Sequence, residues 1–124
     1  GNMIRDFTYI DDVVESVSKL LKKKPLRDDK FDFHNPKPNK SWAPYKIFNV
    51  GNSQPINLME YIINIEETLG IKAIKNFMPM QDGDVQTTES FTKNLENYIN
   101  YKPNTTIKEG ISKFISWYKS FYKI

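Results

Sequence analysis

Few residue types in this chain can do chemistry. Its 124 residues include no cysteine and a single histidine, His34, so disulfides and thiolate metal sites are excluded. His34 sits among prolines with no partner at ligand spacing and reads as a surface residue. Only Arg5 and Arg27 offer the planar fork that grips two oxygens at once; the other sixteen basic residues are lysines. Arg5 opens the run RDFTYIDD. Asp84 closes the run Gln81-Asp82-Gly83-Asp84, whose composition marks a turn, and Asn49 and Gly51 flank a second turn signal. Tyr98 and Lys102 have the one-turn spacing at which a lysine can lower a tyrosine's pKa for proton transfer. Chance alone supplies about one such pair in a chain with seven tyrosines and sixteen lysines. Pro103 also biases Lys102 away from helix, so the pair is assigned no role.

The elements that must position these residues are legible in the apolar spacing. Val13, Val14, Val17, Leu20 and Leu21 form one helical stripe, with Asp11 or Asp12 as cap and Pro25 at the end. Residues 25–45, with Pro36, Pro38 and Pro44, make a long loop that reads as a surface excursion or a binding loop. Residues 45–50 alternate like a strand and run into Gly51-Asn52. A second helix carries Leu58, Met59, Ile62, Ile65 and Leu69, with Asn57 and Glu60 in a capping-box pattern and Gly70 as terminator. Ala73 to Met78 is expected to be another strand, and 91–99 a short helix stopped before Pro103. A last helix starts near Thr105 or Thr106 and carries Ile107, Ile111, Phe114, Ile115, Tyr118 and Phe121. Short strands alternating with about four helices indicate an α/β arrangement. Strand 45–50, apolar on both faces, looks built for burial between layers, yet few partners for it are in view.

Composition narrows the function classes. With 39% hydrophobic and 27% charged residues the chain reads as one soluble globular domain. No apolar run approaches the ~20 residues of a membrane span, and no signal-peptide pattern is visible, so a cytoplasmic location without membrane partners is expected. The net charge of +3 does not make a nucleic-acid binder, because lysines interleave with acids along the chain. Lys22-Lys23-Lys24 falls at a helix end, where cations complement the dipole.

Four ordered segments carry a family likeness: RDFTYIDDVVESV, APYKIFNVGNSQPINLMEYI, PMQDGDVQTT and YKPNTTIKEGISKFISWYKSFY. Together they resemble the C-terminal, substrate-binding part of NAD-dependent nucleotide-sugar epimerases and dehydratases, the extended short-chain dehydrogenase/reductases. The nearest branch is the UDP-glucuronate epimerases. The resemblance covers nearly the whole chain apart from part of the 25–40 loop. It implies that residues 1–124 form the substrate-binding lobe of a longer enzyme, with the Rossmann lobe absent. NAD would be a cofactor of that parent and not of this lobe. In such enzymes NAD takes hydride from the sugar's C4 and returns it to the opposite face. The catalytic residues would lie in the missing N-terminal part, so no catalytic, cofactor or metal residue is expected here, and the lobe alone should be inactive.

What the resemblance carries over is substrate binding. Arg5 matches the arginine that contacts the UDP-sugar diphosphate, a task suited to a charge-assisted fork. Gln81 stands where many relatives have a second phosphate-binding arginine and can still hydrogen-bond ribose or phosphate. Asp84 could orient Arg5, and Asn49 and Gly51 could approach ligand. After that loop the sequence departs from the family, with Gln86, Glu89 and Phe91 where Pro, an aromatic and Asp are common. Expected partners are a UDP-sugar, the Rossmann lobe and a second copy paired through exposed strand edges. The alternatives are a nucleotide-sugar 4,6-dehydratase or another epimerase, and, in another class, a non-catalytic self-association module.

Overall fold

Local signals decide where the long helices begin and end. A computed structural model describes all 124 residues and contains four helices and one two-stranded sheet. Strand β1 (Ile4–Arg5) leads into helix α1 (Ile10–Leu21); strand β2 (Ile56–Asn57) leads into α2 (Leu58–Leu69); α3 (Lys93–Ile99) and α4 (Ile107–Tyr122) complete the chain. The α2 cap is as the sequence requires: the Asn57 side chain accepts from the Met59 N–H, and Gly70 ends the helix in the left-handed region at φ 72°. Thr106 caps α4 by accepting from the Glu109 N–H.

Helix α1 is different. Its cap is Tyr9, with no side-chain bond, and neither Asp11 nor Asp12 serves. Asp12 instead turns inward, accepting from the Tyr101 hydroxyl at 2.7 Å and the Thr105 N–H at 3.0 Å. The buried residues of α1 are Asp12 and Ser16, while Ile10, Val14, Val17 and Leu21 are exposed. The apolar stripe read from the sequence is real, but most of it faces outward.

The two strands expected at 45–50 and 73–78 do not form ladders. Residues 45–50 make only an isolated bridge, Lys40 to Lys46, and 73–78 are irregular. A strand exists only where a neighbour takes its N–H and C=O groups. The sheet that does form joins Ile4 to Asn57 and Arg5 to Ile56, antiparallel, with an added bridge from Ile4 to Thr87. That sheet ties β1, the start of α2 and the 84–88 segment together.

Helices α2 and α4 pack on each other, and α1 packs on α3. The buried apolar core consists of Leu95, Ile99, Ile111 and Ile115. Only 12 of 124 residues are buried, and large apolar side chains such as Val14, Leu21, Ile74 and Phe121 stay exposed.

Candidate functional site

Strand β1 delivers Arg5 to the edge of the 81–90 segment, and that segment supplies its partners. The Arg5 Nη2 donates to both oxygens of Asp84, at 3.0 and 3.2 Å. Its Nη1 donates to the carbonyls of Ile4 at 2.9 Å and Gln86 at 3.1 Å. The guanidinium is thus anchored on one side, while its Nε–H makes no hydrogen bond. Its side chain is 21% exposed against 41% for Asp84, so an anion can reach the pair from solvent. Asp84 also accepts from the Val85 N–H and, through its own N–H, closes a turn on the Gln81 carbonyl with Gly83 at φ 84°. Gln81 is exposed and its amide makes no hydrogen bond within the chain, which leaves both its donor and its acceptor available.

Asn49 and Gly51 lie on the other side of the 88–92 segment. The Asn49 amide donates to the Phe91 carbonyl at 3.4 Å. Gly51 is buried; a Cβ there would stand 2.4 Å from the Ser90 Cβ, so glycine is required for the Ser90 side chain to pack against this backbone. The structure therefore brings Arg5, Asp84 and the Gln81 turn together, and places Asn49 and Gly51 against the segment that follows.

Asp6 joins the two groups, and sequence reasoning passed over it. Its Oδ2 accepts from the N–H groups of Ser53 and Ser90, both at 3.0 Å, and its Oδ1 from the Gln54 N–H at 3.3 Å. One carboxylate thereby binds β1 to the 51–54 turn and to the 81–90 segment. The Ser53 hydroxyl continues the network to the Ser90 carbonyl at 2.6 Å and the Thr92 hydroxyl at 2.7 Å, and Thr92 donates to Glu96. Backbone amides are invisible in a side-chain pattern; the only hint was Asp6 lying next to Arg5.

Elsewhere, Glu66 on α2 is buried and holds the 71–75 segment. It accepts from Lys75, Lys72 and the Ala73 N–H. These partners, Lys75 foremost and then the Ala73 amide, pull its carboxyl down to about 2, against the opposing effect of burial. Burial pushes Asp12 up, but the Tyr101 and Thr105 hydrogen bonds together outweigh it and leave the carboxyl below its usual range. Burial and the Asp12 carboxylate raise Tyr101 to about 12.

Tyr98 lies on α3 and Lys102 beyond its end, after Asn100 turns left-handed at φ 51°. The pair does not share a helix. No cluster of three or more His, Cys, Asp or Glu could hold a metal ion. No glycine-rich strand-to-helix turn of the kind that cradles a dinucleotide pyrophosphate is present in these residues.

No family model matches the chain. It is 46% identical over 123 residues to the Staphylococcus aureus protein CapI, covering 99% of this chain and 37% of that protein. It is 37% identical over 124 residues to a probable UDP-glucuronate 4-epimerase of Rhizobium meliloti, covering 99% of this chain and 36% of that protein. Its fold matches UDP-glucuronic acid 4-epimerase of Bacillus cereus in complex with NAD at a TM-score of 0.71 and 23% identity, over 99% of this chain and 32% of the other. A structure of MoeE5 in complex with UDP-glucuronic acid and NAD matches at 0.76 and 20% identity, over 98% and 35%. The chain spans little more than a third of the length of these curated relatives.

Proposed function

Since this chain corresponds along its length to the C-terminal part of extended short-chain dehydrogenase/reductase epimerases, we propose that it forms the nucleotide-sugar side of such an enzyme, with UDP-glucuronate as the sugar nucleotide. The observation that carries the reading is Arg5, held by Asp84 at the edge of the sheet with an unbonded Nε–H. A diphosphate presents paired anionic oxygens, and a guanidinium oriented in advance binds them with less loss of side-chain freedom. Asp84 sets that orientation and balances the guanidinium's charge. Gln81 offers a neutral amide beside it, able to bond ribose or phosphate without added charge. Asn49 and Gly51 shape the neighbouring wall, and Asp6 fixes both walls to β1.

Hydride transfer belongs, in this reading, to a cofactor-binding part outside these residues, and the 124 residues alone do not turn over substrate. The outward stripe Ile10, Val14, Val17 and Leu21 is the surface on which that part packs. Expressing the full-length parent with Arg5→Gln and measuring UDP binding and epimerisation tests the reading. Weaker UDP binding of about 10- to 100-fold, the worth of a charged hydrogen bond, supports it. Unchanged UDP affinity contradicts it.

A further inference from the structure

A basic cleft lies at the far end of α1. The helix ends at Leu21, and Lys22, Lys23 and Lys24 follow it; Arg27, Asp28 and Lys46 line the cleft from the segment after it, with Lys46 over the ring of Tyr98 on α3 and Arg27 over Trp42. The cleft they line is about 490 Å³ and open to solvent. Twelve helical residues, roughly 18 Å of rise, separate it from the β1 end of α1 and hence from Arg5.

Two features distinguish this cleft from an ordinary lysine-rich surface. The first is that one lysine is fixed. The Lys23 ammonium donates to the Tyr98 carbonyl while the Tyr98 hydroxyl donates to the Lys23 carbonyl. Lys23 and Lys46 sit 4.8 and 4.7 Å from the centroid of the same Tyr98 ring. Their charges are therefore within the roughly 10 Å over which salt screening acts. The second is an excess of cations. Asp28 also lines the cleft and lies within the field of Lys46, but its carboxylate is bonded by Lys40, and Asp29 is bonded by Arg27; Lys22, Lys23, Lys24 and Lys46 enter no ion pair. With one shared carboxylate among them, these cations still repel one another, and a bound multivalent anion relieves that repulsion.

We propose that this cleft binds a compact multivalent phosphate, recognised by charge rather than by any base or sugar attached to it. Ammonium groups act as point charges on phosphate, and they are the main polar heads here. Tyr98 cannot serve as a stacking platform, because two ammonium groups and Phe48, at 4.8 Å between ring centroids, already surround its ring.

The test is a heteronuclear NMR titration of the chain at low ionic strength with inorganic orthophosphate, pyrophosphate and tripolyphosphate, with UTP as a further arm. The expected result is saturable binding with shifts at Lys22–Lys24, Lys46 and Tyr98, tightening with each added phosphate, and UTP no tighter than tripolyphosphate. The double variant Lys23→Gln/Lys46→Gln is expected to weaken tripolyphosphate by about tenfold or more, as read from the shifts at Lys22, Lys24 and Tyr98, which Arg5→Gln is expected to leave in place. Should the first pair perturb folding, Lys22→Gln/Lys24→Gln removes charge without touching Tyr98 and is expected to weaken binding as well. Shifts that fail to saturate, that spread equally to the lysines of α4, or that vanish in Arg5→Gln overturn the proposal.

Discussion

At the residue scale the account rests on carboxylates that hold something in place. Asp84 holds Arg5, so Asp84→Asn is expected to leave the fold intact and weaken UDP binding by loosening the guanidinium, measurable by calorimetry in the full-length parent. Arg5→Lys is expected to behave much like Arg5→Gln, because an ammonium cannot hold Asp84 and two carbonyls while presenting a further donor. Glu66 gives a pH signature. Its folded value of about 2 lies below the ordinary 4.5, so its stabilising effect is complete above about pH 4.5 and fades as pH falls toward about 2. Lys75, with a side chain 26% exposed against 81% for Lys72, is the tighter clamp. Glu66→Gln is therefore expected to be less stable at neutral pH and to lose the part of acid sensitivity between those values, as read by chemical denaturation across pH. The pairing of Arg5 with Asp84 could not be read from local pattern, because the two stand 79 positions apart. Asp6 was not legible, because its ligands are main-chain amides.

At the scale of elements, helices were legible and strands were not, for one physical reason. A helix closes its hydrogen bonds within a few residues, so Asn57, Gly70 and Thr106 announce its ends locally. A strand closes them on a distant segment. Residues 45–50 have the right alternation and no ladder, whereas Ile4–Arg5 pairs with Ile56–Asn57 across more than fifty residues. The stripe on α1 was legible as a stripe, but its outward direction was not, because Asp12 finds Tyr101 and Thr105 inside. Tyr101→Phe is expected to destabilise the fold by about 1–3 kcal/mol by stripping a donor from that buried carboxylate. Gly51→Ala is expected to cost about 1–3 kcal/mol as the 51–54 turn and Ser90 are forced apart. It should also disturb the amides on Asp6, visible as amide shifts at Ser53 and Ser90.

At the scale of the whole molecule the small core is the dominant fact. Leu95, Ile99, Ile111 and Ile115 are buried, while large apolar side chains on α1, on α4 and between residues 71 and 85 stay exposed. Surfaces of that extent are cohesive in water. The chain by itself is expected to associate as its concentration rises in light scattering, and a strict monomer throughout would contradict that expectation. Association and ligand binding are separable, because Arg5 and Asp84 lie at the β1 edge and not on the outward stripe of α1. The measurement that bears most directly on the central claim is an amide NMR titration of this chain with UDP and UDP-glucuronate. The account predicts saturable shifts centred on Arg5, Gln81–Asp84 and Gly51, abolished in Arg5→Gln. A well-dispersed spectrum whose shifts fall elsewhere, or which millimolar ligand leaves unmoved, would contradict the assignment of this surface to the nucleotide sugar.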